Sequence, residues 1–182
     1  MVEIRVHGRG GQGAVTFAHI LCASATFEGK FGQSCQGVTG ERRGAPVEAY
    51  GRIGDKPITE RGPVSEPDYV VLFDPRLPAS VDVEVGLSDN GKLVVNSKRE
   101  MLFKHESINV DATAIALKTL KATHINTVMI GAFAAATGLI SLESAERGAR
   151  IILAKFPEKA LNLNLEAIRA GYEEVKHGKS IH

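Results

Sequence analysis

The sequence contains few of the residues on which several classes of protein depend. It has no tryptophan, only 5% of its 182 residues are aromatic, and its formal net charge is +1. Binding of nucleic acids relies on an excess of positive charge and on aromatic side chains that stack against bases. Both are in short supply, so nucleic acid is not an expected partner.

Cysteine, long apolar segments and clusters of metal ligands are scarce as well. The two cysteines, Cys22 and Cys35, are too few for an iron–sulfur cluster, which is usually held by four thiolates. No apolar stretch approaches the ~20 residues that cross a membrane, and the N-terminal sequence MVEIRVHGRG lacks the apolar segment of a signal peptide. The sequence therefore predicts a cytoplasmic protein with no membrane partner, no metal site and no recognisable catalytic residue.

Strand and helix patterns alternate along the first two thirds of the chain, and helical patterns fill the last third. Buried strands are predicted at Tyr69–Phe73 and Gly91–Ser97, where short apolar runs are bounded by turn residues. A helix rich in small residues is predicted over Asn126–Gly138. This order predicts one three-layer α/β/α domain over residues 1–182, with a largely parallel or mixed central sheet and a frayed tail at residues 176–182.

The first strand differs from these buried strands because polar residues occupy one of its two faces. Glu3, Arg5 and His7 alternate with apolar residues. A central parallel strand is usually apolar on both faces. The alternation therefore indicates either an edge strand that faces solvent or a surface that contacts another chain.

A glycine-rich loop connects this strand to the first helix. Its G-x-G-x-x-G pattern lets the backbone approach a ligand, and the helix N-terminus offers free N–H groups to a phosphate. A dinucleotide site also needs an acidic residue about 20 positions further on, and only Glu28, at the end of the helix, lies in that window. The loop thus favours a phosphate of some other ligand, with a tight structural turn as the alternative. Its candidate residues are Gly8, Arg9, Gly10, Gly11, Gln12 and Gly13.

Two further features carry charge that a ligand can use. Arg42 and Arg43 are adjacent in the segment GERRGAP, and arginine binds phosphate through a planar fork of N–H donors. The alternative is a solvated pair balanced by neighbouring glutamates. Asp74 follows a buried strand, where the sites of α/β proteins gather, but aspartate is also a common turn former. The residues alone leave both pairs of alternatives open.

The pairing of GRGGQGAVT with GERRGAPV resembles the gamma subunit of 2-oxoacid:ferredoxin oxidoreductases, and in particular the pyruvate:ferredoxin oxidoreductase (pyruvate synthase) branch. The segments EPDYVVLFDPRL, GKLVVNS and NTVMIGAFAAATGLISLE follow in the order of that family. The resemblance covers nearly the whole chain, and it too implies an α/β/α domain.

This resemblance implies a subunit of an enzyme that converts a 2-oxoacid, coenzyme A and oxidised ferredoxin into acyl-CoA, carbon dioxide and reduced ferredoxin, in either direction. It implies alpha, beta (thiamine-binding) and delta (ferredoxin-like) partner subunits, which hold the thiamine diphosphate and the iron–sulfur clusters. It also implies that the isolated chain is inactive. The glycine loop at residues 8–13 and the pair Arg42 and Arg43 would then face the phosphates of coenzyme A.

Two other functions stay open at this point. The chain can be a free-standing nucleotide-binding module, although the absent ribose carboxylate counts against it. It can also be a purely structural subunit whose glycine loop packs against a partner. The resemblance does not select between pyruvate and branched-chain 2-oxoacids as the substrate of the complex.

Overall fold

The computed structural model describes residues 1–37 and 44–178, and a six-stranded mixed sheet forms its centre. The strands, in chain order, are β1 (Val2–Arg9), β2 (Phe31–Gln36), β3 (Pro46–Gly54), β4 (Tyr69–Leu72), β5 (Lys92–Asn96) and β6 (Glu106–Val110). Their order across the sheet is β2-β3-β1-β4-β5-β6. Strands β1, β4, β5 and β6 are parallel, whereas β3 is antiparallel to both of its neighbours. The predicted α/β class with a mixed, largely parallel sheet is confirmed.

Five α-helices of the described residues pack on one face of this sheet. The helices are α1 (Ala14–Phe27), α2 (Ala112–Thr119), α3 (Asn126–Thr137), α4 (Leu142–Ile152) and α5 (Glu158–His177). The opposite face is covered by a short 3-10 helix, Leu77–Ala79, and by the segments that carry Val83, Leu87, Met101 and Phe103. Across the described residues, helices long and apolar enough to cross a membrane are absent.

Strand β1 is an internal strand, so the expectation of a solvent-facing edge was wrong. It pairs with β3 on one side and β4 on the other, and Arg5 and His7 are buried. The guanidinium of Arg5 donates to the carbonyls of Val64 (3.4 Å) and Val83 (3.2 Å), which belong to segments that cross this face. The polar face of β1 is therefore covered by backbone that supplies hydrogen-bond acceptors.

The tail predicted to fray from residue 176 is helical through His177, which is the last residue of α5. The backbone N–H of Gly178 donates to the carbonyl of Glu174 at 2.7 Å, and His177 lies 3.0 Å from the carboxylate of Glu173. These contacts close the last turn of the helix. Residues 179–182 lie outside the described residues.

Helices α3 and α5 cross with their backbones in contact, because glycine occupies the crossing point on both. A Cβ atom on Gly131 would lie 1.8 Å from the carbonyl oxygen of Ile168, and one on Gly171 would lie 2.1 Å from that of Val128. Neither approach leaves space for a methyl group. The small-residue pattern that predicts α3 therefore reflects close packing against α5.

Gly171→Ala is expected to lower the free energy of unfolding by about 1–3 kcal/mol, because the added methyl group forces α3 and α5 apart. This loss should occur although alanine has a helix propensity about 1 kcal/mol more favourable than glycine. Urea denaturation followed by circular dichroism measures the change. Asn162→Ala, at an exposed position of the same helix, is the control and should raise stability slightly. A stability gain in Gly171→Ala as well would contradict the close crossing.

Candidate functional site

The glycine loop reverses the chain between the end of β1 and the start of α1. Gly11 and Gly13 have φ values of 92° and 87°, in the left-handed region that side chains other than glycine rarely adopt. The side-chain oxygen of Gln12 accepts a hydrogen bond from the backbone N–H of Arg9 at 2.7 Å, and the N–H of Gln12 donates to the carbonyl of Arg9 at 3.0 Å. The loop is thus a closed turn with a defined backbone shape.

Helix α1 begins with its first amide groups unpaired. The earliest hydrogen bond of the helix runs from the N–H of Phe17 to the carbonyl of Gly13 at 2.9 Å. Gly13 has no side chain to cap the helix, and no acidic residue lies in the first turn. The N–H groups of Ala14, Val15 and Thr16 therefore have no acceptor among the described residues. Such a helix N-terminus attracts an anion through its free donors and its dipole.

The chain segment that follows Arg42 and Arg43 lies against this loop. The N–H of Gly10 donates to the carbonyl of Ala45 at 2.9 Å, and the N–H of Gly44 donates to the carbonyl of Gly10 at 3.2 Å. The structure thus brings together the glycine loop and Gly44–Ala45. Arg42 and Arg43 themselves lie outside the described residues, so their role as site residues stays a prediction.

Asp74 fixes the position of Arg9 in the loop. Its carboxylate is 1% exposed, accepts from Nε of Arg9 at 2.7 Å, and accepts from Nε and Nη2 of Arg76 at 2.9 and 2.8 Å. Arg76 is the main cause that holds the pKa of Asp74 well below its usual value, and Arg9 adds to the effect. Asp74 also accepts from the backbone N–H of Arg76. Asp74 therefore acts as a turn former, and it also holds Arg9, one of the predicted site residues, in place.

A cleft of about 660 Å³ opens beside the glycine loop, within the size range of small-molecule sites. One end is formed by the loop and the first turn of α1. The other end is formed by the α2–α3 connection, the end of α4 and the start of α5. Among the described residues, none that lines the cleft is acidic. The lining includes cationic or imidazole side chains from Arg9, His19, His124 and Lys155, and apolar ones from Val47, Leu120, Ile152, Leu153, Phe156 and Leu163.

Four residues of the predicted loop, Arg9, Gly10, Gly11 and Gly13, line this cleft, whereas the residues at its other end were not predicted. Leu120, His124, Lys155 and Phe156 come from two connections that lie more than a hundred positions from the loop. They form no local motif. The sequence shows only that these residues lie in two connections between predicted helices. It does not show that both connections face α1.

In the part of the chain that the structure describes, Glu28 and strand β2 do not supply the acidic group of a dinucleotide site. Glu28 follows α1 at the end remote from the glycine loop, and its carboxylate accepts from the N–H of Ser141 at 2.7 Å. Strand β2, which follows α1, pairs with β3 and is separated from β1. A dinucleotide-binding unit instead places the second strand beside the first. The preference for another phosphate-bearing ligand stands.

Cys22 is not an activated nucleophile in this arrangement. Cys22 is buried in the core, and burial raises the pKa of its thiol to about 12. Cys35 is half-buried on β2. Within residues 1–37 and 44–178, His, Cys, Asp and Glu form no group of three or more that could hold a metal ion.

Proteins of similar sequence are found among the pyruvate oxidoreductases. A family model described as pyruvate ferredoxin/flavodoxin oxidoreductase matches residues 3–174. The chain is 47% identical over 178 residues to the pyruvate synthase subunit PorC of Methanothermobacter marburgensis, which covers 97% of this chain and 99% of that protein. It is 45% identical over 184 residues to the pyruvate/ketoisovalerate oxidoreductases common subunit gamma of Pyrococcus abyssi, with coverage of 97% and 98%.

Two solved structures share the fold. The pyruvate oxidoreductase subunit PORC of Thermotoga maritima matches with a TM-score of 0.82 at 38% identity, over 94% of this chain and 95% of that one. The 2-oxoglutarate:ferredoxin oxidoreductase of Magnetococcus marinus, solved with 2-oxoglutarate, coenzyme A and succinyl-CoA bound, matches with a TM-score of 0.77 at 20% identity. That match covers 97% of this chain and 31% of the longer protein, and it is a likeness of fold.

Asp74→Asn is expected to lower the free energy of unfolding at pH 7 by about 1.5–3 kcal/mol, the range for hydrogen bonds to charged groups. Because the pKa of Asp74 is lowered in the folded protein, its contribution is present above ~pH 4, near the pKa of an unfolded aspartate. The contribution is lost as the pH falls towards the folded value. Urea denaturation at several pH values should therefore show a difference from wild type that shrinks below ~pH 4.

Asp89→Asn is the matched control, because Asp89 is exposed on a turn. It should change stability by less than ~0.5 kcal/mol at each pH. A difference between wild type and Asp74→Asn that stays constant from neutral to acidic pH would contradict the charged contact.

Proposed function

We propose that this chain, which belongs to the pyruvate ferredoxin/flavodoxin oxidoreductase family, binds coenzyme A in the cleft beside its glycine loop. The chain is a gamma subunit of a pyruvate (2-oxoacid):ferredoxin oxidoreductase. The complex converts the 2-oxoacid, coenzyme A and oxidised ferredoxin into acyl-CoA, carbon dioxide and reduced ferredoxin, and the reaction is reversible. In this proposal the gamma chain contributes binding and has no activity when isolated.

The observation that carries the proposal is that the lining of the cleft combines the free amide groups of a helix N-terminus with apolar side chains. Coenzyme A has the matching chemistry, because its phosphates lie at one end and its pantetheine arm is long and uncharged. The free amides of Ala14, Val15 and Thr16 suit a phosphate. Leu120, Ile152 and the neighbouring apolar side chains suit the arm. The fold neighbour solved with coenzyme A bound supports this class of ligand.

The side chains of this subunit give coenzyme A orientation rather than reactivity. Contacts to its phosphates would fix one end, and the apolar walls would hold the arm straight and exclude water from it. The thiol could then extend beyond the gamma chain to the reacting centre of a partner. Holding the reacting group in place in this way lowers the entropic barrier to the chemical step.

The remaining cofactors are assigned to partner subunits. With two cysteines, and with no group of three metal-ligating side chains in the described parts of the chain, this chain does not fit an iron–sulfur cluster. We place the clusters and thiamine diphosphate in the alpha, beta and delta subunits, with the beta subunit binding thiamine and a ferredoxin-like delta subunit passing electrons to ferredoxin. We also place the complex in the cytoplasm, as the sequence predicts.

Thr16→Glu provides a sharp test, because it introduces a negative charge at the proposed phosphate site without weakening the fold. Thr16 lies in the first turn of α1 and lines the cleft, where an acidic residue stabilises a helix by about 0.3–1 kcal/mol. Repulsion of a phosphate ~5 Å away amounts to about 3 kcal/mol at an effective dielectric constant of 20. In the assembled enzyme, the apparent KM for coenzyme A should rise on the order of 100-fold.

The control for this test is Thr16→Gln, because glutamine has the size of glutamate and carries no charge. The KM of this variant for coenzyme A should equal that of the wild type. The KM for the 2-oxoacid should be unchanged in both variants. If Thr16→Glu leaves the KM for coenzyme A unchanged, the cleft does not hold the phosphates. If it instead prevents assembly of the complex, the purely structural role is favoured.

Arg42 and Arg43 are tested separately, since their assignment rests on the sequence. Reversing both charges with Arg42→Glu and Arg43→Glu is expected to raise the apparent KM for coenzyme A at least about tenfold, because two cations that face phosphates are replaced by anions. Lys56→Glu with Arg61→Glu, a double reversal at exposed positions, is the control for a general change in charge. An equal rise of the KM for coenzyme A in both double variants would show that Arg42 and Arg43 do not belong to the site.

A further inference from the structure

We propose that the loop between β5 and β6 is a docking surface for another subunit of the oxidoreductase complex. The docking loop comprises residues 97–105, and its partner has an apolar pocket bordered by carboxylates. This inference rests on the membership of the chain in a multi-subunit complex and does not depend on where coenzyme A binds.

The first observation is the exposure of Leu102, which is 95% accessible to solvent. Its neighbours Met101 and Phe103 both pack inward against the apolar cluster on the second face of the sheet. This alternation explains why residue 102 points outward, but not why the outward residue is leucine. Val85, on an adjacent segment, adds a second exposed apolar side chain at 58%. Leucine removes a large apolar area from water when a partner covers it, which makes Leu102 suitable as an anchor.

The docking loop is held in one shape, which favours binding. A single carboxylate oxygen of Glu84 accepts from the backbone N–H groups of Lys104 (2.9 Å) and His105 (3.0 Å), and Nδ1 of His105 lies 2.8 Å from it. At the other end, the side-chain oxygen of Ser97 accepts from the N–H of Arg99 at 3.2 Å. A loop fixed in this way loses little conformational entropy when a partner binds.

The charge around Leu102 identifies the chemistry of the partner. Lys98, Arg99 and Lys104 are exposed on the same loop, with Glu100 as the one acidic residue among them. None of the three cations forms an ion pair with a residue in the described part of the chain. Interfaces commonly place an apolar anchor at the centre and complementary charges at the rim. The matching surface therefore has an apolar pocket with acidic residues around it.

The same charges argue against a second copy of this chain as the occupant. In a two-fold symmetric dimer the same patch is present on both subunits. Two docking loops would bring their lysine and arginine side chains together, and like charges at an interface are unfavourable. Another subunit of the complex, with the opposite charge, has no such conflict.

Leu102→Asp tests the docking loop in the assembled enzyme. The dissociation constant between the gamma chain and the complex of the remaining subunits should rise at least about tenfold, since an anchor is lost and a carboxylate faces an acidic rim. Leu117→Asp is the matched control, because Leu117 is 48% exposed on α2, on the helical face. It should bind as wild type does. Thermal unfolding of each isolated variant confirms that the chain is folded.

A second variant tests the charges without altering Leu102. The triple reversal Lys98→Glu, Arg99→Glu and Lys104→Glu should weaken assembly and reduce its dependence on ionic strength. Assembly of Leu102→Asp within about twofold of wild type, or self-association of the wild-type chain that only Leu102→Asp abolishes, would overturn the proposal. Complexes of Leu102→Asp formed at saturating subunit concentration should keep the wild-type KM for coenzyme A, so that failure of docking and failure of coenzyme A binding are distinguishable.

Discussion

The ion pair between Asp74 and Arg9 joins three parts of the chain at one point of the sheet. The N–H of Phe73 donates to the carbonyl of His7 at 2.8 Å, which brings the end of β4 beside the end of β1. Asp74 then binds Arg9, 65 positions away at 2.7 Å, and Arg9 donates to the carbonyl of Gly44 at 3.1 Å. The glycine loop, the end of β4 and the segment after Arg43 thus share one hydrogen-bonded centre beside the cleft.

The same ion pair also offsets an unfavourable positive charge near the start of α1. A cation near a helix N-terminus is unfavourable, because the positive end of the helix dipole lies there. Arg9 is close to that end, and the carboxylate of Asp74 offsets its charge. Arg76 adds a second guanidinium to the group, so two cations share one anion and a net positive charge remains. The site can therefore attract phosphates while Arg9 is held in a fixed position.

The parts of this structure that follow from local sequence could be predicted, and the parts that depend on distant contacts could not. Periodicity predicts β1 as a strand, and short apolar runs predict β4 and β5. Periodicity does not show which segments cover a strand, so the burial of Arg5 and His7 was missed. Burial lowers the pKa of His7, with Glu48 opposing the effect and Arg5 adding to it. In the same way, the glycine loop was recognisable as a motif, whereas the far end of the cleft comes from two connections without a motif.

The cleft and the docking loop lie on opposite faces of the sheet, and this separation suits a subunit that is held in a complex while it exchanges a diffusible ligand. Val71 faces the helical core and Val70 faces the second apolar cluster, so the sheet divides the two surfaces. The turn from Asp74 to Leu77 touches both, because Asp74 fixes the glycine loop and Leu77 packs in the second cluster. The docking loop and the lining of the cleft share no residue, and the contributions of sites without shared residues usually add. The free energies of docking and of ligand binding should therefore add.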